Sequence, residues 1–283
     1  MDEQLFTLHH SKSPIGIFDS GYGGLTILNQ VRQLLPQYDY LYLGDNARAP
    51  YGARSFDVVY EFTRQAVVKL FEMGCQLVIL GCNTASAKAL RTIQQHDLPK
   101  IDSSRRVLGI IRPTAEIIGT LTKTRHVGIL ATEGTIKSKS YNLEIQKLWP
   151  DIQVSGVACP LWAAIVEANE ADSLGADYFV EKRINQLLTI DAQIDTIILG
   201  CTHYPLLLNK IKKYVPQHIK VISQGEYVAN SLSNYLLRHP EIEKRCSKNG
   251  QCHYLTTENS DNFKETAHLF LHENIQAETI TLD

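Results

Sequence analysis

Two cysteines occupy the same place in two similar stretches. Residues 76–87 read QLVILGCNTASA and residues 196–207 read TIILGCTHYPLL. Cys82 and Cys201 each follow an apolar run and a Leu-Gly pair, and each precedes a helical pattern. A thiol at such a junction meets free amide donors and the positive end of a helix dipole, which favour thiolate. A structural cysteine more often lies within its strand. One thiol beside a histidine suits acyl transfer. Two thiols on opposite sides of a cleft suit proton transfer at a carbon. One takes a proton as thiolate, the other delivers a proton as thiol to the opposite face, and a stereocentre inverts.

The neighbouring residues extend this chemistry. Asn83 and Thr84 follow the first thiol, and Thr202 and His203 follow the second. They are neutral donors and acceptors suited to an amino-acid carboxylate and ammonium, though Asn83 and Thr84 also fit a helix N-cap. His203 titrates in a range that could activate Cys201. The stretch FDSGYGG at 18–24 contributes Asp19, which could cap the next helix, orient or deprotonate a thiol, or hold an ammonium. Its glycines permit a tight turn and close ligand approach. Its spacing matches neither phosphate-binding glycine pattern, which argues against a nucleotide. The loop GDNARAPYGARS at 44–55 has the Pro and Gly of a turn and makes Tyr51 and Gly52 candidates for pocket lining.

Elements of an α/β protein are needed to hold these residues. Apolar runs at 15–18, 40–44, 77–80, 106–111, 126–130, 153–157, 196–199, 220–223 and 252–257 read as strands. Amphipathic segments at 55–73, 136–148, 173–188 and 226–237 read as helices between them. In the first, Phe56, Val59, Phe62 or Tyr60, Ala66, Val67 and Leu70 mark the apolar stripe. Strands apolar along their whole length imply parallel sheets covered on both faces, with functional loops at the carboxyl ends. The pattern also repeats. Residues 14–28 resemble 126–140, and 77–86 resemble 196–205. The spacing from Asp19 to Cys82 is 63 residues, and from the aligned Ala131 to Cys201 it is 70. Two similar α/β half-units are expected.

Composition excludes several other classes. The chain has 283 residues, 44% hydrophobic, with a formal net charge of −2. That supports two modest cores. There is no basic stripe for nucleic acid, and the lysines of KIKKY at 210–214 fit a solvated helix face. No apolar run reaches membrane-spanning length, and the polar MDEQLFTLHHSKS start lacks the apolar region of a secretory signal. A cytoplasmic location is expected, with Cys75, Cys82, Cys159, Cys201, Cys246 and Cys252 reduced. No CxxC pair is present, and Cys246, Cys252 and His253 have the wrong spacing for a zinc site.

Together, FDSGYGG, GDNARAPYG, GCNTAS, ATEGT and GCTHYP resemble glutamate racemases of the cofactor-independent amino-acid racemase superfamily. The motifs run from residue 14 to residue 205 in that family's order. The resemblance implies two pseudosymmetric doubly wound domains, mainly parallel in sheet, with the site between them. It places 1–109 plus 223–283 in the first domain and 110–222 in the second. It implies L- and D-glutamate as substrate, D-glutamate supply for peptidoglycan, and no pyridoxal phosphate, metal or redox cofactor. Cys82 matches the thiol that acts on D-glutamate and Cys201 the one that acts on L-glutamate. Asp19 matches the aspartate assisting the first thiol, His203 the residue assisting the second, and Glu167 of CPLWAAIVEAN a further acid. Asp19, Ser20, Tyr51, Gly52, Asn83, Thr84, Thr202 and His203 match substrate-lining positions, with Thr132 and Thr135 of ATEGT beside them. NARAP and RPTAE (112–116) depart from the commoner pattern without touching the thiols. Aspartate racemases resemble the first thiol motif but usually carry Glu where His203 stands. A two-domain ligand-binding protein and a thiol hydrolase remain alternatives, and neither needs two matched cysteines. A homodimer and a peptidoglycan-precursor effector are left open.

Overall fold

Ten strands alternate with helices in the computed structural model, which describes residues 13–282. The strands are β1 (Ile15–Asp19), β2 (Tyr40–Gly44), β3 (Leu77–Leu80), β4 (Arg106–Gly109), β5 (His126–Ala131), β6 (Gln153–Ala158), β7 (Thr196–Gly200), β8 (Lys220–Ile222), β9 (Cys252–Thr256) and β10 (Ala277–Thr279). They form a six-stranded sheet ordered β10-β9-β2-β1-β3-β4 and a four-stranded sheet ordered β6-β5-β7-β8. Every pairing within them is parallel. The central strands β1, β2, β3 and β7 are buried at every residue. Helices cover both faces of each sheet, so there is no polar alternation for water to select.

The internal echo is a repeat of topology. β2-β1-β3-β4 in the first sheet has the order of β6-β5-β7-β8 in the second. β1 therefore corresponds to β5 and β3 to β7, which sets Cys82 and Cys201 at equivalent strand ends. The chain leaves the first sheet through the helix Ile111–Leu121, after β4. It returns after β8 through the helix Gly225–Arg238, which packs on the helix Gly24–Leu34.

Local chemistry explains where the helices begin. Ser55 accepts from the Val58 amide to cap Phe56–Glu72, and Ser173 accepts from the Ala176 amide to cap Leu174–Ile190. Phe56–Glu72 buries Val59, Ala66, Val67 and Leu70, with Thr63 and Phe71. Burying each of the large apolar side chains stabilises the fold by roughly 1.5–3 kcal/mol.

Four readings of local structure need correction. Ile110 and Ile111 do not extend β4, because Ile111 opens a helix that buries it against the second core. Phe56 lies outside the buried stripe, half exposed at the first turn. The 136–148 segment is two helices, Glu133–Ser138 and Ser140–Leu148, broken at Lys139, whose φ of 54° is left-handed. Cys201 is not followed directly by an α-helix: a turn leads to a 3-10 segment, Tyr204–Leu207, with Pro205 in its first turn. All six cysteines are free thiols. Among the described residues, no helix is long and apolar enough to cross a membrane.

Candidate active site

The ends of β1, β3, β5 and β7 bring the candidate residues together. Asp19 ends β1 and is fully buried. Its Oδ1 accepts from the Gly21 amide at 2.8 Å, and its Oδ2 has no hydrogen-bond partner among the described residues. Gly24 lies against it: a Cβ there would stand 2.5 Å from Asp19 Cβ, so only glycine fits. Burial lifts the Asp19 pKa to about 6, against the pull of His203 and the amides of Gly21 and Gly24.

Cys82 follows β3 and caps the helix Asn83–Lys88, its sulfur accepting from the Ala85 amide at 3.4 Å. Ser20 Oγ lies 3.4 Å from the same sulfur. The helix terminus was expected to favour thiolate. Instead burial, with the Asp19 charge second, pushes the Cys82 pKa up to about 12, and the bonds from Ser20 and Ala85 only partly offset this. Cys82 is therefore a thiol at neutral pH in this conformation. A charge on Cys201 raises its pKa further, so the two sulfurs are close enough to interact.

Cys201 follows β7 and is supported differently. His203 Nδ1 lies 3.8 Å from its sulfur, and His203 Nε2 lies 2.7 Å from Glu167 Oε1. Glu167 ends the helix Trp162–Glu167. Burial disfavours charge on His203, but its bonds to Cys201 and Glu167 outweigh this and lift its pKa to about 10. As imidazolium it donates from Nδ1 toward Cys201 and from Nε2 to Glu167, which sets a cation beside the sulfur. Phe270 meets the His203 ring edge-on at 5.4 Å between centroids and walls it from water.

The remaining candidates join the two halves. Thr84 Oγ1 lies 2.9 Å from Thr132 Oγ1 and 3.5 Å from Thr135 Oγ1. Thr132 caps its helix through the Thr135 amide. The Gly52 carbonyl accepts from the Gly134 amide at 2.7 Å. Thr26 donates to the Thr202 carbonyl at 3.0 Å. Gly23 packs so tightly on the Thr202–His203 turn that a Cβ would come within 2.5 Å of His203 Nδ1. Tyr51 is buried, its hydroxyl bonded to Asp45 and its ring 5.7 Å from Phe62 between centroids. Its polar atom is thus engaged inside the loop.

Sequence reasoning missed Tyr141 and Gln224, both of which bond to Asn83. Gln224 lies two residues beyond β8, at the same sheet edge as the other candidates. That position was its one available signal.

The family model described as Asp/Glu/Hydantoin racemase matches residues 25–232. The chain belongs to that racemase family. A glutamate racemase from Ruegeria sp. (strain TM1040) is 38% identical over 275 residues, covering 93% of this chain and 98% of that protein. A crystal structure of a glutamate racemase isoform from Bacillus anthracis superposes with a TM-score of 0.87 at 34% identity, covering 96% of this chain and 99% of that one. A second, from Francisella tularensis subsp. tularensis SCHU S4 in complex with D-glutamate, gives a TM-score of 0.85 at 30% identity, covering 96% and 98%. The two-sheet α/β racemase architecture therefore extends along nearly the whole chain.

Proposed function

We propose that this racemase interconverts L- and D-glutamate by two-thiol proton transfer at Cα, without pyridoxal phosphate, metal or redox cofactor. The observation that carries the reading is the pairing of two buried thiols at equivalent strand ends, each with its own proton-handling partner. Relatives named glutamate racemase support glutamate as substrate.

In the L-to-D direction, Cys201 starts as the thiolate held by His203 and removes the α-proton. Cys82 starts as the thiol and gives its proton to the opposite face. Cys201 ends as thiol and Cys82 as thiolate, so one proton has entered the substrate and one has left it. The reverse direction uses the opposite starting state. Asp19 takes the Cys82 proton, and His203 supplies one to Cys201 or accepts it. Asn83, Thr84, Thr132, Thr135, Thr202, Ser20 and Gly52 line the space between the thiols and hold the carboxylates and ammonium. Tyr51 supports that wall from behind. Exclusion of water strengthens every fixed dipole acting on the developing carbanion.

The division into 1–109 plus 223–283 and 110–222 is part of the same proposal, supported by the membership of the two sheets. The product would supply D-glutamate for peptidoglycan.

The test is direct. The purified protein, without added cofactor, is incubated with L-glutamate and optical rotation is followed. Rotation should decay to zero, and in heavy water deuterium should appear at Cα. Unchanged rotation at high protein concentration would sink the proposal, and decay with aspartate alone would reassign the substrate.

A further inference from the structure

Asn83 stands next to Cys82, yet neither of its polar atoms is loose. Its Nδ2 donates to Gln224 Oε1 at 2.7 Å, Gln224 Nε2 donates to the Tyr141 hydroxyl at 2.7 Å, and that hydroxyl donates to Asn83 Oδ1 at 2.7 Å. The three bonds close a ring in which every member donates once and accepts once. Asn83, Tyr141 and Gln224 are each 2–3% exposed. A ring so buried has no water to replace a lost partner.

The ring also has a fixed direction. Gln224 Nε2 donates to the Ile110 carbonyl at 3.0 Å and lies 3.2 Å from Thr114 Oγ1. A carbonyl only accepts, so the nitrogen of Gln224 must face Ile110. Its oxygen then faces Asn83. Asn83 must answer with nitrogen, and must turn its oxygen to Tyr141. A main-chain carbonyl thus decides which way the Asn83 amide points. One Nδ2 hydrogen and one Oδ1 lone pair remain uncommitted, in a defined orientation.

The contributing segments are far apart in the chain. Asn83 follows β3 of the first sheet, and Tyr141 belongs to a helix packed on the second. Ile110 and Gln224 lie on the two connections where the chain passes from one sheet to the other and back. The ring ties both crossings to a residue adjoining a thiol.

We propose that Gln224 is a positioning residue for the reaction. Read from the Ile110 carbonyl, it orients the Asn83 amide toward substrate beside Cys82, with Tyr141 completing the ring. The inference rests on the racemase reading above. It predicts dependence on a residue outside every motif that identified the site.

The test is a double-mutant cycle on racemisation of glutamate, with thermal unfolding followed in parallel. Gln224→Met keeps the volume and removes the bonds. It should lower kcat/KM about tenfold or more, the scale of a displaced binding group. The enantiomers have equal free energy, so the loss must be the same in both directions. In an Asn83→Ala background the same change should cost less than about twofold, because its target is gone. Tyr141→Phe should repeat the pattern, and carries the cycle if Gln224→Met does not fold. Full activity of the variants, or a loss undiminished in the Asn83→Ala background, overturns the inference. A wild-type chain inactive on glutamate overturns the functional reading and this inference with it. An active wild type separates the two.

Discussion

The two thiol sites share a scaffold and differ in how the thiol is governed. Cys82 and Cys201 stand at corresponding strand ends of two sheets with the same strand order. Around Cys82 the neighbouring acid is Asp19, which ends β1 of the same sheet, with Ser20 on the sulfur. At the position corresponding to Asp19 the second half has Ala131, which ends β5. There the titratable neighbour is instead His203, two residues after the thiol, held by Glu167 from a separate helix. One half surrounds its sulfur with potential negative charge, and burial keeps the proton on. The other sets the His203 cation beside its sulfur. Duplicating a fold supplies two equivalent places. The charges placed around them then differ, a carboxyl group beside Cys82 and an imidazolium beside Cys201.

The sharpest way to break this comparison is to remove each thiol. Cys82→Ser and Cys201→Ser should each lower racemisation about a thousandfold or more, as for residues that act as a unit. Optical rotation measures this, and substantial turnover by either variant would mean that one thiol suffices.

Next come the helpers, expected to cost about a hundredfold each as general acid–base partners. Their pH profiles should differ in sign. Asp19 must lose its proton to assist Cys82, so activity should rise through about pH 6 and Asp19→Asn should remove that arm. His203 must hold its proton to keep a cation beside Cys201, so activity should fall through about pH 10 and His203→Asn should remove that arm. Profiles of kcat/KM check both. Loss of the same arm in both variants would erase the distinction between the halves.

A smaller effect concerns reactivity. Cys82 should be alkylated by iodoacetamide at pH 8 about tenfold more slowly than Cys201, since burial pushes its pKa up to about 12 and the thiolate is the nucleophile. Both thiols are 6% exposed, so access does not favour either. Peptide mapping by mass spectrometry gives the two rates, and equal rates would contradict the assigned charges.

The smallest expected effect is on stability. The folded chain holds the Asp19 proton more tightly than an unfolded chain does. Its stabilising contribution is therefore complete below about pH 4 and is lost as the pH rises through about 6. Asp19→Asn should stabilise the protein at pH 8 by about 1–3 kcal/mol, the worth of one to two pKa units, while costing activity. Thermal or urea unfolding at pH 5 and pH 8 measures the difference. Equal effects at the two values would remove Asp19 as the buried charge.

Much of this organisation is legible in the sequence, for physical reasons that vary by residue. The inner strands β1, β2, β3, β5 and β7 announce themselves because they are buried and apolar along nearly their whole length, and β4, β6, β8 and β9 by shorter apolar stretches. β10 does not, being three residues, Ala-Glu-Thr, largely exposed at the sheet edge. Ile110 and Ile111 mislead because a short apolar run looks the same at a strand end and at a buried helix start. Cys82, Cys201, Asp19 and His203 are legible because chemistry demands particular residue types at strand ends. The sense of the Cys82 shift was not. A helix terminus can be read from spacing, but the burial that outweighs it comes from packing. Tyr141 and Gln224 carry no local signature, since their partners lie 58 and 141 residues from them in the chain.

The close packing of Gly23 on the Thr202–His203 turn, with the Gly134–Gly52 hydrogen bond across the other side, has a kinetic consequence. No methyl group fits at Gly23, so parting this seam moves the Thr202–His203 turn, and with it the imidazole beside Cys201. A cavity lined by Cys201, Thr202 and Gln224 offers another way in. Solvent viscosity tells the two routes apart: it slows entry that must part the seam and leaves a proton transfer between enclosed groups untouched.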